Sequence, residues 1–190
     1  EGIPTETCLH VNAHALARYA ALCQEALLVP IVEPEVLMDG DPTIERCFEV
    51  TEAVQHAVFA TLYRHHVTFE EMLLKPNMVL AGTTSPRQAG VREVAEATLR
   101  CLRRTVPAAV PGILFLSGGQ DEPAASAHLN AINALPGPHP WPLSFSYGRA
   151  LQAAALGAWQ GDPERVAAAQ RAFSHRALCN SAAAAGRYTA

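Results

Sequence analysis

Met72-Leu73-Leu74-Lys75-Pro76-Asn77-Met78 is a short apolar run with a single lysine set into it. A strand buried on both faces reads as a continuous hydrophobic run bounded by breakers, so this stretch is predicted as a strand of a covered, parallel sheet. An amine inside such a run must be desolvated or paired. Burial disfavours the ammonium and leaves a larger share of free amine at neutral pH, which is the state an imine-forming nucleophile needs. Lys75 also fits a strand end, with its stem along the sheet and its charge in water.

Helical and strand-like stretches alternate on both sides of this run. Leu16, Tyr19, Ala20 and Cys23 recur at helical spacing, which predicts a helix over residues 12–25 with Asn12 as its N-cap, followed by a strand over residues 29–32. Asp39-Gly40-Asp41-Pro42 is a turn. Asp41 and Pro42 give a cap and first-position signature for a long helix reaching His65, with Cys47, Val50, Val54, Val58 and Leu62 as its apolar stripe. After the Lys75 strand come a polar loop at 82–90 and a helix at 91–104, then a strand at 112–116 that ends in Ser117-Gly118-Gly119. A helix at 121–135 and a proline-rich link at 136–142 precede a strand at 143–146. Helices at 149–159 and 164–184, the latter capped by Asp162-Pro163, complete the chain. Strands alternating with helices, without a hairpin signal between them, predict a parallel α/β sheet or barrel.

Composition narrows the function classes. The 190 residues are 49% hydrophobic and 17% charged, an ordinary globular balance with enough chain for one sizeable core, and one domain over residues 1–190 is expected. A net charge of −4 with 14 scattered lysines and arginines leaves no basic footprint for nucleic acid. No run reaches the ~18 uncharged apolar residues of a membrane span. Cys8, Cys23, Cys47, Cys101 and Cys179 are odd in number and lack a CxxC spacing, which argues against a disulfide framework or a zinc site and for a reducing, cytoplasmic compartment. His65-His66 is no metal pair, because adjacent residues do not share a helix face. The chain begins at Glu1 without Met, so a segment upstream of it stays open.

Polar residues gather at the carboxyl ends of the predicted strands, the edge where parallel α/β folds bind ligands. They are Glu33 and Glu35, Lys75 and Asn77, Ser117-Gly118-Gly119, and Ser146 with Gly148-Arg149. Glu33 and Glu35 are two apart and share a strand face. Two inward carboxylates need a cation, and Lys75 on the next strand is the obvious one. Ser117-Gly118-Gly119 offers backbone N–H groups unobstructed by side chains and leads into a helix N-terminus, an arrangement suited to phosphate as well as to an ordinary turn. Arg149 adds a fork that could grip the same anion.

Five motifs in order carry a family likeness: residues 29–35 (Val-Pro-Ile-Val-Glu-Pro-Glu), 73–78 (Leu-Leu-Lys-Pro-Asn-Met), 115–120 (Phe-Leu-Ser-Gly-Gly-Gln), 129–133 (Leu-Asn-Ala-Ile-Asn) and 145–151 (Phe-Ser-Tyr-Gly-Arg-Ala-Leu). Together they resemble the Schiff-base (class I) fructose-bisphosphate aldolases, and the likeness runs from Asn12-Ala13 to Gly186-Arg187-Tyr188. The resemblance implies reversible aldol cleavage of a phosphorylated ketose, fructose 1,6-bisphosphate, within glycolysis and without metal or cofactor. It implies Lys75 as the Schiff-base lysine, Glu33 as the acid/base of the carbinolamine and imine steps, and Glu35 as the carboxylate that orients the lysine. Ser117, Gly118, Gly119, Ser146, Gly148 and Arg149 look like the family's site for the ketose-side phosphate.

The family fold is an eight-stranded (β/α)8 TIM barrel, and this chain is expected to hold the last four β/α units, a C-terminal half barrel. The first half would bring an active-site aspartate, further lysines and an arginine for the second phosphate. Ala26-Leu27 replaces the Asn-Gly expected after the first helix. A half barrel exposes two sheet edges and an apolar interior, so it is expected to pair with the missing barrel half or to form a homo-oligomer. The alternative function is a non-catalytic interaction or scaffold module derived from an aldolase.

Overall fold

The computed structural model describes residues 4–189. Its strands are β1 (Ile31–Val32), β2 (Leu73–Leu74), β3 (Ile113–Phe115) and β4 (Leu143–Phe145), forming one four-stranded parallel sheet in chain order. The helices are α1 (Glu6–Glu25), α2 (Ile44–Arg64), α3 (Val91–Thr105), α4 (Glu122–Ala134), α5 (Arg149–Trp159) and α6 (Val166–Ala184). They pack on one another in sequence, α1 on α2, α2 on α3, α3 on α4, and α4 and α5 on α6. This is the parallel β/α alternation that the pattern predicts, and the half TIM barrel that the family resemblance implies.

The strands are shorter than the apolar runs because prolines flank them. Pro30, Pro76 and Pro142 cannot donate to the ladder, yet their carbonyls accept from Leu73, Leu116 and Ile113 at 2.9, 3.1 and 3.0 Å. The ladder also runs one residue past β2, where the Lys75 N–H donates to the Val32 carbonyl at 2.7 Å. Lys75 is therefore held as rigidly as a strand residue.

Only one face of the sheet is sealed. Val32, Leu74, Ile113, Phe115 and Leu143 are buried, whereas Leu73, Leu114 and Ser144 are half-buried and Ile31 is 40% exposed. This corrects the expectation of a β2 buried on both faces. The helices of this chain cover one side, and the other side is the wall that a closed barrel would turn inward. Side-chain alternation places Glu33 with Ile31 and Lys75 with Leu73 on that open inner face.

Two helix starts differ from the predicted ones. α1 begins at Glu6, where Thr5 Oγ1 accepts from Cys8 N at 3.2 Å. Asn12 lies inside the helix and donates back to the Cys8 carbonyl at 2.9 Å. α2 is capped by Thr43, whose Oγ1 accepts from Arg46 N at 3.2 Å, and not by Asp41. α4 starts at the predicted place, with Asp121 as its cap accepting from Ala124 N at 2.7 Å. Asp162 caps a short 3-10 turn, Pro163–Arg165, which leads into α6.

The loops after β1 and β2 interlock. Gly82 N donates to the Pro42 carbonyl at 2.8 Å and Thr84 N to the Gly40 carbonyl at 2.9 Å. A Cβ on Gly82 would stand 2.4 Å from the Gly40 oxygen, so only glycine permits this approach.

α1 ends in a left-handed residue that is not glycine. Leu27 has φ 59° and is 94% exposed, while Leu27 N and Leu28 N donate to the Gln24 and Cys23 carbonyls at 3.0 and 2.8 Å. The backbone makes the terminating bonds that a glycine usually makes, and the leucine carries the steric cost. Leu27→Gly is expected to stabilise the chain by about 0.5–1 kcal/mol, the strain relieved less the added chain entropy of glycine. Urea unfolding would show it as a higher midpoint at unchanged slope; a lower midpoint would contradict it.

Candidate functional site

Lys75 and Glu33 extend the ends of adjacent parallel strands, and register brings them together. Val32 pairs with Leu74, so the next residue of each strand follows in step. Lys75 Nζ lies 3.0 Å from Glu33 Oε1, with the two side chains 21% and 42% exposed. Of the two fates open to a lysine in an apolar run, this is pairing. The pair stands on the open inner face, within reach of a ligand.

Glu35 is placed differently. Its N–H donates to the Glu33 carbonyl at 3.1 Å, a tight turn around Pro34 that takes the chain off the strand. Side-chain alternation ends there. Glu35 is exposed and makes no ion pair among the described residues. The structure thus brings Lys75 to Glu33, while Glu35 sits at the rim.

The glycine turn after β3 is held in a conformation suited to glycine. Gly118 and Gly119 have φ of 61° and 96°, and the Gln120 N–H donates to the Ser117 carbonyl at 3.0 Å. Ser117 is buried and Gly119 is exposed. Ser146 N donates to the Phe115 carbonyl at 2.9 Å, which binds the end of β4 to that of β3. The Gly148 carbonyl accepts from both Leu151 and Gln152 N–H at 3.1 Å and opens α5. Arg149 is the first residue of that helix and is exposed. A Cβ placed on Gly119 would stand 3.7 Å from Arg149 Nη2, so the two loops converge. Among the described residues Arg149 has no ion pair or hydrogen-bond partner, in contrast to Arg176, which is paired with Glu122 at 3.7 Å. An unpaired guanidinium, glycine N–H groups and the N-terminus of α5 together make a place where an anion is favoured.

Buried polar residues tie these loops to one another. Asn77 Oδ1 accepts from Val36 N at 3.1 Å, and its Nδ2 donates to Thr51 Oγ1 and to the Met78 carbonyl at 3.1 and 3.0 Å. Val79 N donates to Thr98 Oγ1 at 2.9 Å. Gln120 and His128 stand behind the glycine turn, with His128 Nδ1 2.6 Å from Gln120 Oε1. Burial lowers the His128 pKa against an opposing pull from Asp121. The Tyr147 hydroxyl donates to the Ala125 carbonyl at 2.9 Å, and burial pushes its pKa up. Sequence reasoning noticed Asn77, and Gln120 as the last residue of a motif, without giving either a role, and missed His128. The available signal was a histidine on the stripe of α4 that also carries Ala125, Leu129 and Ile132, all buried.

No group of three His, Cys, Asp or Glu is arranged to hold a metal ion among the described residues. Likewise no helix among them is long and apolar enough to cross a membrane.

Comparison with known proteins gives a consistent result. A family model described as fructose-bisphosphate aldolase class-I matches residues 1–190. The chain is 55% identical over 186 residues to the fructose-bisphosphate aldolase of Dictyostelium discoideum, covering 98% of this chain and 52% of that protein. It is 57% identical over 185 residues to fructose-bisphosphate aldolase B of Gallus gallus, covering 97% of this chain and 51% of the relative. Among solved structures, the fructose-bisphosphate aldolase of Plasmodium falciparum, in complex with TRAP and a small molecule inhibitor, superposes with a TM-score of 0.96 at 53% identity. It covers 98% of this chain and 54% of its own. The chain therefore spans about half the length of the relatives it matches. By the family model over its whole length, the shared identity and the shared fold, the chain belongs to the class-I fructose-bisphosphate aldolase family.

Proposed function

We propose that residues 1–190 form one aldolase-like unit, the C-terminal half of the barrel, and carry the imine-forming machinery of a fructose-bisphosphate aldolase. The reaction is the reversible cleavage of fructose 1,6-bisphosphate to dihydroxyacetone phosphate and glyceraldehyde 3-phosphate, a step of glycolysis. The observation that carries this reading is the 3.0 Å approach of Lys75 Nζ to Glu33 Oε1 on the inner face. The five cysteines stand free, in keeping with a reducing, cytoplasmic setting.

The chemistry follows from the pair. Glu33 takes a proton from the Lys75 ammonium, and the free amine attacks the ketone carbon of the substrate. Returned to the carbinolamine hydroxyl, that proton lets water leave and an imine form. The protonated imine accepts the electron pair of the breaking carbon–carbon bond and becomes an enamine, while the hydroxyl on the departing fragment gives its proton to the now ionised Glu33 and leaves as the aldehyde. That proton, returned to the enamine carbon, regenerates the imine. Hydrolysis of the imine then frees the ketose product and Lys75. Glu35 would orient the lysine by the family likeness, although it is exposed and makes no ion pair with Lys75 among the described residues. Ser117, Gly118, Gly119, Ser146, Gly148 and Arg149 would hold the ketose-side phosphate, fixing the carbonyl over Lys75.

Borohydride trapping with dihydroxyacetone phosphate is expected to add the reduced adduct at Lys75, read by peptide mass mapping. Lys75→Ala should abolish it, and Glu33→Gln should slow it by roughly a hundredfold, the lower end of the range for general acid–base catalysis. Adduct at other lysines only would refute the assignment.

Calorimetric titration with inorganic phosphate tests the anion site separately. Arg149→Ala should weaken binding by about 1.5–3 kcal/mol, the scale of a hydrogen bond to a charged group. Arg149→Lys should recover part of it, lacking the planar fork. Unchanged affinity in Arg149→Ala would reduce the glycine turn to a turn.

A second reading, a non-catalytic half-barrel interaction module, draws support from the half-exposed inner face of Leu73, Leu114 and Ser144. Either way, that face favours a partner of the same architecture, another barrel half or a second copy. Light scattering on the purified chain should give a mass at least twice 20.3 kDa. A stable monomer would contradict the pairing, and trapping without turnover in the paired form would favour the module.

A further inference from the structure

The polar side chains behind the Ser117-Gly118-Gly119 turn belong neither to the strand ladder nor to the groups that would touch substrate. The Ser117 carbonyl oxygen receives two donors from a single residue, the Gln120 backbone N–H and Gln120 Nε2, each at 3.0 Å. Gln120 is 8% exposed, and Nε2 also lies 3.7 Å from Met78 Sδ in the loop that follows Lys75. Its Oε1 faces His128 Nδ1 at 2.6 Å, and His128 is equally buried at 8% exposure. With Nε2 donating to an oxygen, the amide atom opposite the ring is an acceptor, so His128 Nδ1 must carry the hydrogen. Burial favours the neutral ring, which is therefore the Nδ1–H tautomer.

The peptide unit passes this arrangement on to the turn. In a planar trans peptide, the carbonyl of one residue and the N–H of the next point in opposite directions. The Ser117 carbonyl is drawn inward to the buried Gln120, so the Gly118 N–H is aimed away from Gln120. Glycine alone would not enforce this, since it tolerates either orientation of the preceding peptide at little cost. A flipped peptide would present a carbonyl lone pair to an incoming anion.

We propose that Gln120 and His128 act as a positioning pair that presets the turn for the phosphate group of a sugar phosphate, by locking the Ser117–Gly118 peptide with its N–H outward. This rests on the phosphate reading of the turn given above. Neither residue touches substrate. His128 holds the amide of Gln120, and Gln120 holds the Ser117 carbonyl.

The test is a nitrogen-15 NMR titration of the full chain with inorganic phosphate, following the Gly118 and Gly119 amide signals in the parent and three variants. His128→Leu removes the donor and is expected to bind phosphate about tenfold more weakly, the size of one buried hydrogen bond. Its Gly118 signal should broaden or split before phosphate is added, as the peptide samples both orientations. His128→Asn, whose amide N–H can replace Nδ1–H, should restore most of the affinity and the single signal. Gln120→Met, which keeps length without donor or acceptor, should behave like His128→Leu and carries the comparison if the leucine variant does not fold. Parent affinity in both His128→Leu and Gln120→Met would overturn the pair and leave the phosphate site standing. A loss that His128→Asn does not restore would mark a packing role and overturn it as well. Absence of any phosphate response at Gly118 and Gly119 in the parent would remove the phosphate reading, and the positioning pair with it.

Discussion

The side chain of Asn77 is the constraint on which the site depends. It is 5% exposed, and it spends both N–H donors and its oxygen on partners in three different segments: the loop after β1, helix α2 and its own loop. A buried amide that lost one of these partners would carry a desolvation cost of about 1–3 kcal/mol. The loop bearing Glu33 and the strand end bearing Lys75 therefore cannot part without a penalty. The interlocked loop at 82–84 reinforces the same junction, Gly82 N donating to the Pro42 carbonyl and Thr84 N to the Gly40 carbonyl. Two loops that must present a carboxylate and an amine at 3.0 Å are joined by backbone and amide bonds rather than by the ion pair itself.

Element order and type were legible because the chemistry that sets them is local. The stripe from Cys47 to Leu62 repeats at helical spacing, and α3 and α5 begin where Gly90 and Gly148 interrupt the pattern. Helix starts were less legible where two capping residues compete. Asp41 and Thr43 both qualify by type, and only the backbone path decides that Thr43 reaches Arg46 N. Strand burial was misread for a different reason. Leu73 is as apolar as Leu74, but apolarity does not tell which face is covered by this chain and which by another. Half of a closed fold has a core-like sequence on a surface.

In the candidate site, side-chain alternation located Glu33 and Lys75 because each directly follows a paired strand residue, Val32 and Leu74. It failed at Glu35, where the turn around Pro34 ends the strand. The contact between Gln120 and His128 lay beyond sequence reasoning, since it spans a helix start and has meaning only once the glycine turn is bent. Polar residues on the buried stripe of a helix are the trace such pairs leave. Ser126 on α4, hydrogen-bonded to Asn180 of α6 at 2.5 Å and to Arg176 at 3.1 Å, leaves the same trace for a structural role.

The sheet runs β1 to β4 with every strand pointing the same way, and among the described residues the outer two have one strand neighbour each. In an antiparallel sheet, joining two units edge to edge must reckon with strand direction at each seam. Here both borders share one polarity, so the border at β4 fits the border at β1 of any unit built on the same plan. The architecture behaves as a tile: the edge bearing Lys75 and Glu33 stays on one rim however many units are joined, and a ring closes when the accumulated strand tilt returns the last border to the first. Residues placed at strand ends, as Lys75 and Glu33 are, then face a common centre without any change in their own loops.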